Sequence, residues 1–266
     1  MEIIHSIVLG IVQGLTEFLP ISSDGHLVLV RHLLHWHDEG LLFDATLHLG
    51  TFFAVLYFYR VTWWRMTKTL FRRGTRNDEI LLGLLIVATI PGALLGFFAK
   101  DLLEIYFRGL IVTGFGFLFT SAILYFADRN LRNNKKERSE RLTLKQTVGV
   151  GFLQAVALLP GVSRSGSTIA GGIFSNLSRE KAVEFSFLMA LPITGGAGFL
   201  ALLKDLGGSG GAGGFWPLFV GFIASFFVGL WAIKILVKFV SQNNSFRPFV
   251  IYLIVVSIVS FVAAKL

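Results

Sequence analysis

Long apolar stretches alternate with short basic segments along this chain, and two apolar runs break at a proline into hydroxyl-rich loops. Six stretches, residues 41–59, 80–99, 109–127, 182–203, 215–233 and 248–264, match the roughly 17–25 helical residues needed to cross a hydrocarbon core of about 30 Å. Two further runs, 3–19 and 146–159, end at the polar loops, and each is followed by a shorter run, 27–34 or 169–177. Half-length helices flanking a polar break predict re-entrant hairpins, because irregular backbone persists at membrane depth only where protein or a wet cavity surrounds it. The pattern predicts an all-α polytopic membrane protein with six transmembrane helices and two re-entrant helical hairpins.

Basic residues give this pattern a direction. Six lie between Arg60 and Arg76 and seven between Arg129 and Lys145; with Arg179, Lys181, Lys234, Lys238 and Arg247 they make 18 of the 24 lysines and arginines. Basic loops stay in the cytoplasm, so these segments are assigned there and both termini face outward. The first hairpin then enters from the outside and the second from the cytoplasm. That is an inverted repeat of one hairpin plus three spans, residues 1–127 and 146–266, joined by a basic cytoplasmic linker, 128–145. The spacing agrees, since Pro20 to Asp44 and Pro160 to Glu184 are both 24 residues. Inverted repeats bring broken helices from the two halves together near the bilayer midplane, where the functional site forms.

Composition narrows the picture further. A chain that is 54% hydrophobic with 27 phenylalanines is not a soluble domain, and its net charge of +8 is a topology signal, not a nucleic-acid footprint. The absence of cysteine excludes disulfides, thiolate zinc sites and cysteine nucleophiles. Glu2 and His5 stand where a signal peptide would carry its basic region, so retained spans are expected to direct insertion. The glycine-rich segment 207–214 reads as a flexible outward loop.

Ionisable groups inside a membrane are costly and mark functional sites. In the second loop, Arg164 is flanked by Ser163, Ser165, Gly166, Ser167 and Thr168. Its planar fork suits phosphate, and small neighbours beside a half-helix N-terminus let backbone N–H groups approach an anion. The other reading is an internal salt bridge from Arg164 to Glu17 or Glu184, with the hydroxyls as caps. In the first loop, Ser23 and His26 stand three apart, the spacing of a hydroxyl nucleophile and its base; the alternative is Ser22 or Ser23 as an N-cap with His26 as a packed polar residue. Gln13 and Glu17, four apart on one helix face, could hold a divalent cation against phosphate or orient His26, or Glu17 could neutralise Arg164. Asp24 adds a second acid beside Ser23. Asp44 and Glu184, at equivalent points of the two repeats, are candidate orienting groups or internal hydrogen-bond partners. His32, His35 and His37, with Asp38 and Glu39, match no metal motif and read as interfacial polar residues.

At these residues the chain resembles the bacterial undecaprenyl-diphosphate phosphatase, or bacitracin-resistance, family. The motifs are the pair Gln13 and Glu17, the run from Leu19 to His26, the run from Pro160 to Thr168, and the segment Glu184 to Phe187. Two positions depart from the commonest pattern: Gln13 replaces a first carboxylate, and Asp24 stands where members often carry Thr. The resemblance implies hydrolysis of undecaprenyl diphosphate to the monophosphate and phosphate, recycling of the carrier for peptidoglycan synthesis, and bacitracin resistance. It also implies a divalent cation, magnesium or calcium, with Glu17 and Gln13 as its expected ligands. The expected mechanism clamps phosphate with Arg164, Ser163, Ser165, Thr168 and Gly161, while Ser23 attacks with help from His26. Attack by His26 or by water is the competitor. The expected location is the bacterial inner membrane, with the site open to the outer face. From a different class, a lipid-carrier flippase or transporter shares inverted-repeat architecture. A homodimer is left open.

Overall fold

The computed structural model describes residues 3–106, 109–133, 137–206, 214–242 and 244–266. The described residues are helical, with eleven α-helices and one isolated bridge between Ser139 and Leu177. The first polar break separates α1 (Ile3–Phe18) from α2 (Ser23–Leu33), and the second separates α7 (Leu144–Val156) from α8 (Arg164–Phe174). Around these short helices stand α3 (Leu41–Phe58), α5 (Arg76–Tyr106), α6 (Leu110–Asn133), α9 (Arg179–Leu206), α10 (Phe215–Ser241) and α11 (Arg247–Ala263), with α4 (Arg60–Thr69) between α3 and α5.

Among the described residues, five helices are long and apolar enough to cross a membrane: α3, α5, α6, α9 and α10. They correspond to five of the six predicted spans. The sixth, α11, is apolar but has 17 residues. Several helices run past their apolar segments into basic sequence, α5 starting at Arg76 and α10 continuing to Ser241. Lysine and arginine stems can lie along apolar surface while their charges reach water, so hydropathy alone ends a helix too early. Similarly, residues 60–69, read as loop from their charge, form α4. There the Arg60 guanidinium lies 4.7 Å from the Tyr57 ring centre and Lys68 Nζ 5.3 Å from that of Trp64, the pairing of aromatic and basic groups typical of a membrane interface. The glycine-rich 207–214 loop lies outside the described residues except for Gly214.

Packing runs crosswise. α1 packs on α10 and α7 packs on α5; α3 meets α9, and α6 meets α11. The short α2 is held by α1, α6 and α11, and α8 by α6, α7 and α9. The basic segments gather at one end of the bundle. Ser139 N–H donates to the Asn176 carbonyl at 2.8 Å, and Arg138 Nη1 to that of Ile173 at 3.1 Å. Asp128, fully buried, accepts from Phe246 N–H and Ser245 Oγ and pairs with Arg132. At the other end His5 stacks on Trp36, and His32 Nε2 lies 3.1 Å from the Ala263 carbonyl oxygen.

Candidate active site

The two polar breaks meet inside the bundle. Ser22, at φ 71°, caps α2 by accepting from Gly25 N–H, and Ser163 caps α8 by accepting from Gly166 N–H. Both serines therefore spend their side chains on orphan donors of a first helical turn. A β-carbon on Gly25 would come within 2.6 Å of the Phe117 ring and 3.0 Å of Gly161 Cα. Gly161 itself has φ +82°, and a β-carbon there would lie 2.1 Å from the Thr113 carbonyl oxygen. Only glycine permits this close approach of the two loops. Ser165 Oγ ties them together by donating to the Leu19 carbonyl at 3.1 Å.

Depth follows from helix length. Glu17, at the end of α1, faces His48, seven residues into α3, and Arg164, at the start of α8, donates to the Ser186 carbonyl, seven residues into α9. Seven residues rise about 10 Å. Because α3 begins at one end of the bundle and α9 at the basic end, the meeting point is well inside it.

At that point the two loops share an ion pair. Arg164 Nη2 donates to Glu17 Oε1 at 2.6 Å, and Arg164 Nη1 donates to the Ser186 carbonyl at 3.2 Å. Glu17 Oε2 accepts from Ser23 Oγ at 2.6 Å and from Gln13 Nε2 at 3.1 Å. Glu17, Ser23, Gln13 and His26 are all buried, while the Asp24 side chain is 63% exposed. Thr168 Oγ1 is bonded to Ser186 Oγ at 2.6 Å and to the Arg164 carbonyl, and Ser163 N–H donates to Thr120 Oγ1. The salt bridge read as an alternative from sequence is thus present, and it joins the groups read as catalytic.

Ser23 and His26 are close in sequence but turn to different partners. Ser23 donates to Glu17. His26 Nδ1 lies 2.7 Å from the Ser22 carbonyl oxygen and its Nε2 lies 2.8 Å from Tyr252 Oη, with the Phe117 ring packed edge-on. Asp44 is held by Arg31 through both of its oxygens, and Arg31 also reaches Glu39 at 3.0 Å. Glu184 is away from the Glu17 cluster. It pairs with Lys181 at 3.0 Å and lines a cavity of about 330 Å³ at the basic end with Arg65, Asp78 and Arg141.

Three site residues escaped the sequence reading. His48 could have been found, since Asp44 and His48 form an i, i+4 polar step in an otherwise apolar span. Ser186 lay within the Glu184 to Phe187 segment but was not singled out. Tyr252 gave no signal, because only the tertiary fold brings it across 226 positions to His26.

The family profile described as bacitracin resistance protein BacA matches residues 6–259. Relatives called undecaprenyl-diphosphatase include one from Rubrobacter xylanophilus, 41% identical over 95% of this chain and 94% of its own length. One from Desulforudis audaxviator is 39% identical over 100% and 99% of the two chains, and one from Acinetobacter baumannii is 36% identical over 99% and 96%.

Proposed function

The chain belongs to the bacitracin resistance protein BacA family, and from that premise we propose that it is a membrane phosphatase converting undecaprenyl diphosphate to undecaprenyl phosphate and inorganic phosphate. The reaction returns the lipid carrier to peptidoglycan synthesis and removes the diphosphate that bacitracin sequesters. One observation carries the reading at the level of residues: a single buried carboxylate, Glu17, joins the Ser23 hydroxyl of one hairpin to the Arg164 guanidinium of the other. That unites a nucleophile, its base and a phosphate-binding cation.

Arg164 offers five N–H donors and spends two on Glu17 and Ser186. The remaining donors, with the first turn of α8, receive the terminal phosphate. Ser23 Oγ attacks its phosphorus and passes a proton to Glu17 Oε2. The bond to the bridging oxygen breaks, and the electron pair leaves with undecaprenyl phosphate. Water then attacks the phosphoserine, inorganic phosphate departs, and Ser23 recovers its proton. His26, tied to the Ser22 carbonyl and to Tyr252, fixes the loop that aims Ser23.

A magnesium or calcium ion suits the diphosphate more than a resident protein site. Such ions take six or more oxygen ligands. Glu17 already meets three donors, and among the described residues no three His, Asp or Glu side chains converge on a metal position. Gln13 Oε1 is buried without a partner and would add one ligand to an ion carried in by the substrate, where the ion neutralises phosphate charge.

The same reading extends to architecture: six spans and two re-entrant hairpins in an inverted repeat, both termini outward and the site open to the outer face. The packing of α1 on α10 alongside that of α7 on α5 supports the repeat. The basic residues gathered at one end support the orientation.

Trapping the phosphoenzyme tests the mechanism. Rapid quenching with a labelled short-chain prenyl diphosphate should yield phosphoserine at position 23. Phosphohistidine at position 26 would move the attack to His26, and substrate binding without phosphate release would favour a transporter.

A further inference from the structure

His48 takes no part in these steps, yet its ring lies inside the cluster, between Glu17 and Asp24. Its Nδ1 lies 2.8 Å from the main-chain carbonyl oxygen of Asp44, one helical turn earlier. Its Nε2 lies 3.3 Å from Asp24 Oδ1 and 3.8 Å from Glu17 Oε2. Both ring nitrogens thus face oxygen acceptors, and a neutral imidazole can donate from only one of them. A doubly protonated ring would point an N–H at each side, placing its charge between carboxylates supplied by α1 and α2.

Two carboxylates converging on one point are what a divalent cation bridges. Here that point is filled by a side chain anchored from a third helix. With His48 protonated, Glu17 and Asp24 contribute two negative charges and Arg164 and His48 two positive ones, and Gln13, bonded to the same Glu17 oxygen that His48 approaches, is neutral. The four charges balance without an added ion.

We propose that the His48 side chain is a built-in substitute for a metal ion between Glu17 and Asp24, acting as a positioning residue that holds Glu17 against Ser23. This inference rests on the assignment of Glu17 as the base for Ser23. It confines the divalent cation to the substrate diphosphate and keeps it out of the gap between the two acids. It also gives the exposed Asp24 a task that a neutral residue at position 24 would not perform.

Manganese binding to the purified chain without substrate, followed by electron paramagnetic resonance, tests the proposal separately from catalysis. Wild type should show no stoichiometric site. His48→Ala should gain one Mn²⁺ per chain with at least tenfold tighter binding than wild type, and the gain should vanish in the His48→Ala, Asp24→Asn double variant. His48→Lys, which keeps a positive charge in the gap, should bind no more Mn²⁺ than wild type. Circular dichroism and gel filtration report folding, and His48→Gln replaces the alanine variant under the same expectation if the latter is lost. A stoichiometric wild-type site, or a neutral His48 variant that binds no better than wild type, overturns the proposal. Phosphate release by Ser23→Ala, measured in parallel, distinguishes the outcomes. Full activity there removes the base assignment while leaving the manganese result to stand or fall alone.

Discussion

At the scale of single residues, the site depends on groups with no spare geometry. Arg164 spans the Glu17 carboxylate and the Ser186 carbonyl with two different nitrogens, which the point charge of lysine cannot do. Arg164→Lys should therefore lower phosphate release by roughly a hundredfold or more, the scale for losing a preorganised donor, while gel filtration in detergent shows an unchanged folded particle. Gly161→Ala should destabilise the protein by at least about 1–3 kcal/mol, measured as a lower melting temperature, because a side chain at φ +82° would also meet the Thr113 carbonyl. Much of the site was legible in sequence because charge in an apolar chain is costly: Glu17 and Arg164 could be singled out on that ground alone, and Ser23 and Thr168 as hydroxyls in the two polar breaks. The pairing was less legible. A Ser-x-x-His spacing suggests mutual contact, but helix rotation and the competing Glu17 acceptor turn Ser23 inward and leave His26 to Ser22 and Tyr252.

Among the elements, the proline-broken half-helices were readable because proline removes an N–H and glycine or serine caps restart the helix. Their partners were not, since no local pattern encodes which helix packs on which. Hydropathy located five spans well but missed α4 and the basic ends of α5 and α10, where charged side chains reach water from a helical backbone. The loop into α11 depends on Asp128, a fully buried carboxylate at the end of α6 that accepts from Ser245 and Phe246 and pairs with Arg132. Asp128→Ala leaves the Ser245 and Phe246 donors without their acceptor and should cost about 1–3 kcal/mol, the range for unpaired buried hydrogen-bonding groups. Thermal unfolding in detergent would register the loss, and the surviving folded fraction should keep its substrate KM because Asp128 touches no site residue.

For the whole molecule, the orientation is open to a direct check because the chain has no native cysteine. Single cysteines at Arg73 and His37, both exposed, should react oppositely with a membrane-impermeant maleimide: position 37 in intact cells, position 73 only after permeabilisation. The inverse labelling would reverse the assigned topology. The central claim, however, is that neither hairpin makes a site alone, since the first brings nucleophile and base and the second brings the phosphate clamp. The most direct test is phosphate release from a soluble short-chain prenyl diphosphate by the purified protein, with Ser23→Ala and Arg164→Ala assayed beside wild type. Wild type should release one phosphate per diphosphate without any membrane gradient, and each variant should fall to background while remaining folded. Release at the wild-type rate by either variant would contradict a site shared between the two hairpins.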